Sequence, residues 1–241
     1  MAGPDRRKHR WGLILAGSDG VRLRPLTRFI SHDERSKQFC PHYGETTLLE
    51  QARKRAERCI LSDQILYSLN RNHEKYYLHS LFDCPAQRVI QPSNRGTAPA
   101  ILTGLRLVAD RDKDAYVAIL PSDHHFSNNA AFNESLKTAF SLANQFQDYV
   151  VLLGATPDGP ETEYGWIKPA TPLAAAAGTY LVGGFEEKPS LPAAQTFLER
   201  GCLWKYVYYG GQDPAVSGND RPRGPRIVEV IRSVALASGA G

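Results

Sequence analysis

The sequence lacks paired cysteines, long apolar runs and a strong charge of either sign, and each absence excludes something. Cys40, Cys59, Cys84 and Cys202 form no CxxC pair, so they read as reduced thiols of a cytoplasmic protein. No run of about eighteen apolar residues occurs, which leaves no membrane-spanning helix in prospect. The apolar stretch Trp11–Ala16 behind the charged start is too short for a signal peptide, and no cleavage pattern follows it. The formal net charge is +4, and an arm carrying Asp5, Arg6, Arg7, Lys8 and Arg10 supplies most of it, four positive groups against one negative. The rest of the chain is therefore nearly neutral. The arm reads as a solvated tail over residues 1–10, so neither nucleic acid nor a membrane is expected as a partner. No internal repeat is visible.

What is present supports a folded α/β protein. Hydrophobic residues make up 42% of 241, enough for a sizeable core in one large domain or two small ones. Short apolar runs alternate with helical patterns, as in βαβ units around a mainly parallel sheet. Strands are expected at Trp11–Ala16, Gln64–Leu69, Arg88–Gln91, Ala115–Leu120, Tyr149–Gly154, Trp166–Lys168 and Tyr180–Phe185. Helices are expected from Leu48 to about Cys59, then at Asn72–Leu81, Pro99–Ala109, Ala131–Phe146 and Leu191–Arg200. The first of them is opened by Thr47-Leu-Leu-Glu50, a capping box. Two stretches break the alternation. Gly17 to Gly44 is long for a connection in a compact domain, and its Gly, Arg and Lys content favours a functional loop. Gly210–Arg226 holds four Gly, three Pro and three Arg in seventeen residues and reads as a flexible tail.

Several segments could carry chemistry. Gly17-Ser-Asp-Gly20-Val-Arg22-Leu-Arg24-Pro-Leu-Thr27 follows the first strand directly. Glycines there let backbone N–H groups approach and cradle phosphate, while Arg22 and Arg24 offer forked donors and Lys37 a compact cation. A tight turn with surface arginines would explain the same residues. No Gly-Lys-Ser/Thr completes a Walker A loop, and no GxGxxG is completed either. Pro121-Ser-Asp123-His-His125 follows the strand Ala115–Leu120. Ligands of open α/β sheets bind at such carboxyl ends, and an acidic side chain there can hold Mg²⁺, which prefers oxygen. Asp123 could equally cap a turn, and His124 and His125 read as local hydrogen-bonding groups. Gln91-Pro-Ser-Asn94-Arg95-Gly96-Thr97-Ala98-Pro99-Ala100 joins a strand to a helix, either facing a flat ligand or simply starting a helix with Thr97 as its cap. Tyr164-Gly165-Trp166 and Phe185-Glu186-Glu187-Lys188-Pro189 complete the set. There a Glu-Lys pair could grip sugar hydroxyls and a phosphate, or merely form a solvated turn.

In this combination and order the motifs resemble those of the sugar-1-phosphate nucleotidyltransferase family, over about Trp11 to Trp204. The first loop is similar to the family's LAGGxGTRLxPLT signature. Here it reads LAGSDGVRLRPLT, with Ser18 in place of a glycine and Val21 in place of the threonine. Lys37-Gln38-Phe39, Thr97-Ala98-Pro99-Ala100 and Pro121-Ser-Asp123-His124 resemble the mannose-1-phosphate guanylyltransferase branch. The Gly-Phe-Glu-Glu-Lys-Pro run resembles the family's sugar-phosphate motif. The resemblance implies a Rossmann-like three-layer α/β/α nucleotidyltransferase fold. It also implies nucleotidyl transfer from GTP to mannose-1-phosphate with Mg²⁺ as cofactor, giving GDP-mannose and pyrophosphate. It assigns Arg22 and Lys37 to the triphosphate and Asp123 to Mg²⁺. Gly17, Gly20, Gln91, Gly96 and Thr97 would line the nucleotide pocket, Gly165 and Glu187 would contact the sugar, and Lys188 would hold its phosphate. Such a reaction needs no covalent nucleophile or strong base, which agrees with the lack of a Ser/His/Asp or Cys/His set. A homo-oligomer is compatible with the resemblance.

After Trp204 the pattern departs. Lys205 stands where the family usually has Asn, and the expected second acidic metal ligand does not follow. The expectation is a domain over 11–204, truncated on its C-terminal side, and a tail of another kind over 205–241, with strands of the sugar-binding half missing. Two rivals follow. One is a nucleotide- or partner-binding module without turnover. The other is a dinucleotide-dependent oxidoreductase, which would need an acidic residue where the second strand ends in Leu69-Asn70-Arg71.

Overall fold

The computed structural model describes residues 8–41, 44–84, 87–174, 177–210 and 226–231, the last segment and 206–210 as backbone. The chain divides into two compact units, Met1–His125 and Phe126–Gly241.

The first unit is built on four parallel strands, β1 (Arg10–Leu15), β2 (Ile65–Asn70), β3 (Arg88–Gln91) and β4 (Tyr116–Pro121). Their order is β3-β2-β1-β4, with β1 paired on both sides. The register sets Leu15 beside both Ser68 and Pro121, and Asn70 beside Gln91. All four carboxyl ends therefore finish at one edge. Both faces of β1 are covered. On one, Leu13 meets Gly104 of α4 (Thr97–Arg111), within a core of Trp11, Leu66, Val89, Val108 and Val117. On the other, Gly12 faces Ile60, just beyond α2 (Leu48–Ala56). Burial on both faces explains why these strands read as continuous apolar runs rather than alternating ones.

The expected capping box is formed. Thr47 Oγ1 accepts from the Glu50 N–H at 3.2 Å and the Glu50 carboxylate accepts from the Thr47 N–H at 2.7 Å. Three expectations are corrected. Thr97 is not the cap of α4: Gly96 occupies that position at φ 89°, ψ −179°, without a side-chain bond, a conformation essentially confined to glycine. The Gly17–Gly44 stretch is not one long loop. It holds a 3₁₀ turn at Val21–Leu23, the helix α1 (Arg24–Ser31) and a second 3₁₀ turn at Lys37–Phe39. Pro25 in the first turn of α1 fits a helix start, but Leu26 and Phe29 are exposed, so no clear buried stripe announced it. The helix expected over Asn72–Leu81 shrinks to α3 (Glu74–Tyr77), preceded by a 3₁₀ turn at Arg71–His73.

The second unit contains α5 (Asn129–Gln145), β5 (Tyr149–Ala155), β6 (Gly165–Pro172), β7 (Thr179–Glu187), α6 (Leu191–Glu199), β8 (Leu203–Gly210) and β9 (Arg226–Ile231). β5 pairs antiparallel with β8 and parallel with β9. β6 pairs antiparallel with β7 and β8, and β7 with β9. Trp166, Phe197 and Trp204 pack together beside Ala155 and Ala194. β8 crosses the expected 204/205 boundary, and β9 lies within the residues assigned to the tail. The aromatic and β-branched run from Leu203 to Tyr209 suits a strand. Residues 1–7 of the arm, and 211–225 and 232–241 of the tail, lie outside the described residues. Of the arm, Arg10 begins β1, and His9 donates from Nδ1 to Asp112 at 3.0 Å.

Candidate functional site

The carboxyl edge of the four-stranded sheet gathers the first group of expected residues. Gly17 and Gly20 lie in the loop that leaves β1. Ala16 continues the sheet for one residue, its N–H donating to the Ser68 carbonyl at 2.8 Å. Gly20 sits at φ 57°, and a Cβ there would lie 3.4 Å from the backbone N of Lys37 and 3.5 Å from Ser36 Cβ. The left-handed backbone at residue 20 is what favours glycine there, since the approach to the Lys37 segment leaves ordinary contact distance for a Cβ. Arg22 lies exposed in the following 3₁₀ turn. Lys37 is half-buried beside the loop.

Gln38 fixes that arrangement, and sequence reading did not single out its role. The side chain is buried, and its Nε2 donates to the carbonyls of Ala16 at 3.0 Å and Ser18 at 2.8 Å. Both carbonyls flank Gly17, so one buried amide clamps the backbone of the loop on either side of it. Only the presence of Gln between Lys37 and Phe39 hinted at this.

Gln91 ends β3 and donates to Ser68 Oγ at 3.1 Å. Asn94 accepts from the Gly96 N–H at 2.9 Å, and Gly96 and Thr97 open α4 with both residues exposed. Ser122 donates to the Leu15 carbonyl at 2.6 Å, which ties the end of β4 to the end of β1 and sets Asp123 beside the glycine loop. Asp123 keeps 45% of its side chain in solvent and lies 3.8 Å from His124 Nε2. The basicity of His124 is lowered by burial, raised by the Asp123 charge, and lowered again by the charges of Lys37 and Arg55. One imidazole therefore feels both the carboxylate and the cations of this edge. His125 Nδ1 hydrogen-bonds Gln51 Oε1 at 3.1 Å, and the Arg55 guanidinium donates to the His124 carbonyl at 2.9 Å. Both histidines are thus tied to α2, His125 by its side chain and His124 by its carbonyl.

The second group meets in the other unit. Gly165 pairs with Glu187 across β6 and β7, and the Lys188 N–H donates to the Tyr164 carbonyl at 3.3 Å. Lys188 has φ 48°, a left-handed backbone unusual for a lysine. Its Nζ donates to Glu163 at 3.1 Å. Lys205 Nζ donates to Glu187 Oε2 at 2.7 Å. A Cβ on Gly165 would lie 2.7 Å from that same carboxylate oxygen, so the absence of a side chain at 165 makes room for the pair. Lys168 and Glu186 form a parallel ion pair at 3.0 Å.

A different cluster, His9, Asp112 and Asp114, could by composition hold a metal ion. It lies before the amino ends of β1 and β4, at the opposite edge from Asp123. His9 and Trp11 both donate to the Asp112 carboxylate there, at 3.0 and 2.9 Å. Those bonds serve to fasten the start of β1.

Comparison with known proteins identifies the family. The profile of the nucleotidyl transferase family matches residues 11–211, running past Trp204. Mannose-1-phosphate guanylyltransferase of Sinorhizobium fredii (strain NBRC 101917 / NGR234) is 34% identical over 235 residues, covering 93% of this chain and 43% of that protein. Xanthan biosynthesis protein XanB of Xanthomonas campestris pv. campestris (strain B100) is 33% identical over 192 residues, covering 78% and 39%. Among solved structures, one described as a mannose-1-phosphate geranyltransferase from Thermus thermophilus superposes with a TM-score of 0.73. Its identity is 29%, over 85% of this chain and 58% of that one. The chain thus spans about two-fifths of the length of the curated relatives it matches. With its Rossmann-like parallel sheet, its glycine loop and the family match over most of its length, the chain belongs to the nucleotidyl transferase family.

Proposed function

We propose that the chain transfers a nucleotidyl group from GTP to mannose-1-phosphate, giving GDP-mannose and pyrophosphate. The observation that supports this reading is that the glycine loop leaves the carboxyl end of β1, packs at Gly20 against the Lys37 segment and is tied to it by Gln38, while Asp123 follows the end of β4, which Ser122 bonds to the end of β1. The choice of base and sugar rests on relatives named mannose-1-phosphate guanylyltransferase.

In the proposed reaction an oxygen of the sugar phosphate forms a bond to the α-phosphorus of the triphosphate. The bond from that phosphorus to the β-phosphate oxygen breaks, and pyrophosphate leaves with the electron pair. The nucleophile is already anionic, so no side chain must take a proton. What the protein supplies is alignment and positive charge. The glycine loop offers N–H donors, and Arg22 and Lys37 offset charge on the triphosphate. Lys188 would steady the sugar phosphate while Glu187 accepts from sugar hydroxyls.

Asp123 is the residue that would hold Mg²⁺. A single carboxylate, half in solvent at the strand end, fits an ion that keeps several waters and completes its shell with phosphate oxygens. Such an ion would supply further charge neutralisation on the triphosphate.

The test is pyrophosphate release by the purified chain with GTP, UTP or dTTP, each with mannose-1-phosphate or glucose-1-phosphate. The reading expects release that requires the sugar phosphate and is fastest with GTP and mannose-1-phosphate. Faster release with another pair would move the specificity, not the reaction class. A second reading, a binding module without turnover, draws on Ser18 and Val21 in the signature loop. It expects GTP binding with no release from any pair.

A further inference from the structure

We propose that Asp19 and His73 form a positioning pair that locks the glycine loop to the turn before α4, so that both walls of the nucleotide pocket are set together. The inference rests on the nucleotide-pocket reading above.

Asp19 is an odd residue to find in a loop expected to receive phosphate, since its charge opposes an anion. Three partners hold it. His73 Nε2 lies 3.2 Å from one carboxylate oxygen. Asn94 Nδ2 donates to the other at 2.9 Å. Ser36, next to Lys37, donates to the Asp19 carbonyl at 3.1 Å. These partners come from three places in the fold: the turn after β2, the turn after β3, and the Lys37 segment. Asn94 in turn accepts from the Gly96 N–H at 2.9 Å. A continuous chain of contacts thus runs His73–Asp19–Asn94–Gly96, from beneath the glycine loop to the start of α4.

His73 is built for such a role. It is 7% exposed, its ring packs edge-on against Phe39 with centroids 5.5 Å apart, and Ser36 Oγ lies 3.5 Å from its Nε2. Its Nδ1 is buried without a hydrogen-bond partner among the described residues. A bare lone pair there is less costly than an unmet N–H, so the ring is assigned as the neutral tautomer that donates from Nε2 toward Asp19. A buried, rigid donor of this kind fixes its acceptor more tightly than a solvent-facing lysine would, because little side-chain freedom remains to be lost. Neither residue reaches the reacting phosphorus in this account. Both act through the loop.

The test is equilibrium GTP binding, by titration calorimetry, to the full chain and to Asp19→Ala, His73→Ala, the double variant and His73→Gln. Each alanine variant is expected to weaken GTP binding about tenfold, and the double variant to be little weaker than either single one, as in a coupled pair. His73→Gln keeps a donor near Nε2 and is expected to restore most of the affinity. The KM for mannose-1-phosphate should not move. Asp19→Ala separates the roles sharply. If Asp19 were only a surface charge beside an anion site, its removal would tighten GTP binding, and that result overturns the proposal. So would losses that multiply in the double variant, or a sugar-phosphate KM that rises by the same factor. Should His73→Ala not fold, the cycle between Asp19→Ala and Asn94→Ala, both solvent-facing, carries the same expectation of non-additivity. A folded parent chain that binds no GTP defeats the nucleotide reading itself. A parent that binds, with indifferent variants, defeats the pair alone.

Discussion

At the scale of residues, the account depends on a few cations and on how the loop beneath them is held. In the proposed reaction Arg22 would offer a planar fork to phosphate oxygens, and lysine cannot reproduce two parallel bonds. Arg22→Ala is expected to lower kcat/KM for GTP by about a hundredfold, and Arg22→Lys to recover only part of that, as steady-state kinetics would report. His73 makes a prediction of another kind. Burial holds its basicity below the ordinary value of 6.5, although the Asp19 charge raises it; the Arg24 charge adds to the lowering. Below 6.5 the unfolded chain takes up a proton at this ring while the folded chain does not. Stability from this group is therefore fully present above about 6.5 and falls as the pH drops toward the depressed folded value. Melting curves between about pH 7.5 and pH 5 should show a steeper loss for the parent chain than for His73→Gln. Equal slopes would mean that His73 is not held neutral in the fold. The candidate residues Arg22, Lys37 and Asp123 were legible in the sequence because each sits in a short run that resembles a family motif. Gln38 and His73 were not, since a buried polar side chain acting on a backbone or a loop leaves no periodic trace.

At the scale of elements, the parallel strands were read with boundaries within a residue or so, because burial on both faces leaves compact apolar runs. Helix starts were read where side chains cap them and misread where a backbone conformation does. Thr47 and Glu50 announce α2, whereas α4 begins on Gly96 at a φ of 89°, which no neighbouring side chain reveals. That difference yields a test. Among the described residues nothing lies within 4 Å of a Cβ placed on Gly96, so the cost expected of Gly96→Ala is backbone strain, about 1–3 kcal/mol. Denaturant unfolding should report a loss in that range together with weaker GTP binding, since the same turn borders the pocket. Gly104→Ala should cost a similar amount for another reason. Its Cβ would fall 2.5 Å from Leu13 Cδ2, which forces α4 away from β1 and overpacks the core by about 1–3 kcal/mol. Here the expected loss is in stability, with GTP affinity little changed in the folded fraction. α1 escaped notice because Leu26 and Phe29 point outward, so its apolar residues mark no buried stripe.

At the scale of the whole molecule, the two units divide the motifs between them. The first unit holds the glycine loop, Arg22, Lys37 and Asp123; the second holds Gly165 and Glu187 on the paired β6 and β7, with Lys188 just after β7. The sequence pattern ended at Trp204, yet β8 continues to Gly210 and β9 joins β5 and β7. Motif reading stops where signature residues stop, while strand pairing needs only a β-prone run and an open edge. Among the described residues no helix is long and apolar enough to cross a membrane, and the four cysteines are buried and form no disulfide. The central claim is attack by the sugar phosphate on the α-phosphorus, and isotope labelling tests it most directly. Mannose-1-phosphate bearing ¹⁸O on its phosphoryl oxygens is incubated with GTP, Mg²⁺ and the purified chain, and the products are resolved by mass. The account predicts GDP-mannose that retains all of the label, unlabelled pyrophosphate, and loss of both products with Asp123→Ala. Label in pyrophosphate, or a folded, GTP-binding chain that forms no nucleotide sugar, would contradict it.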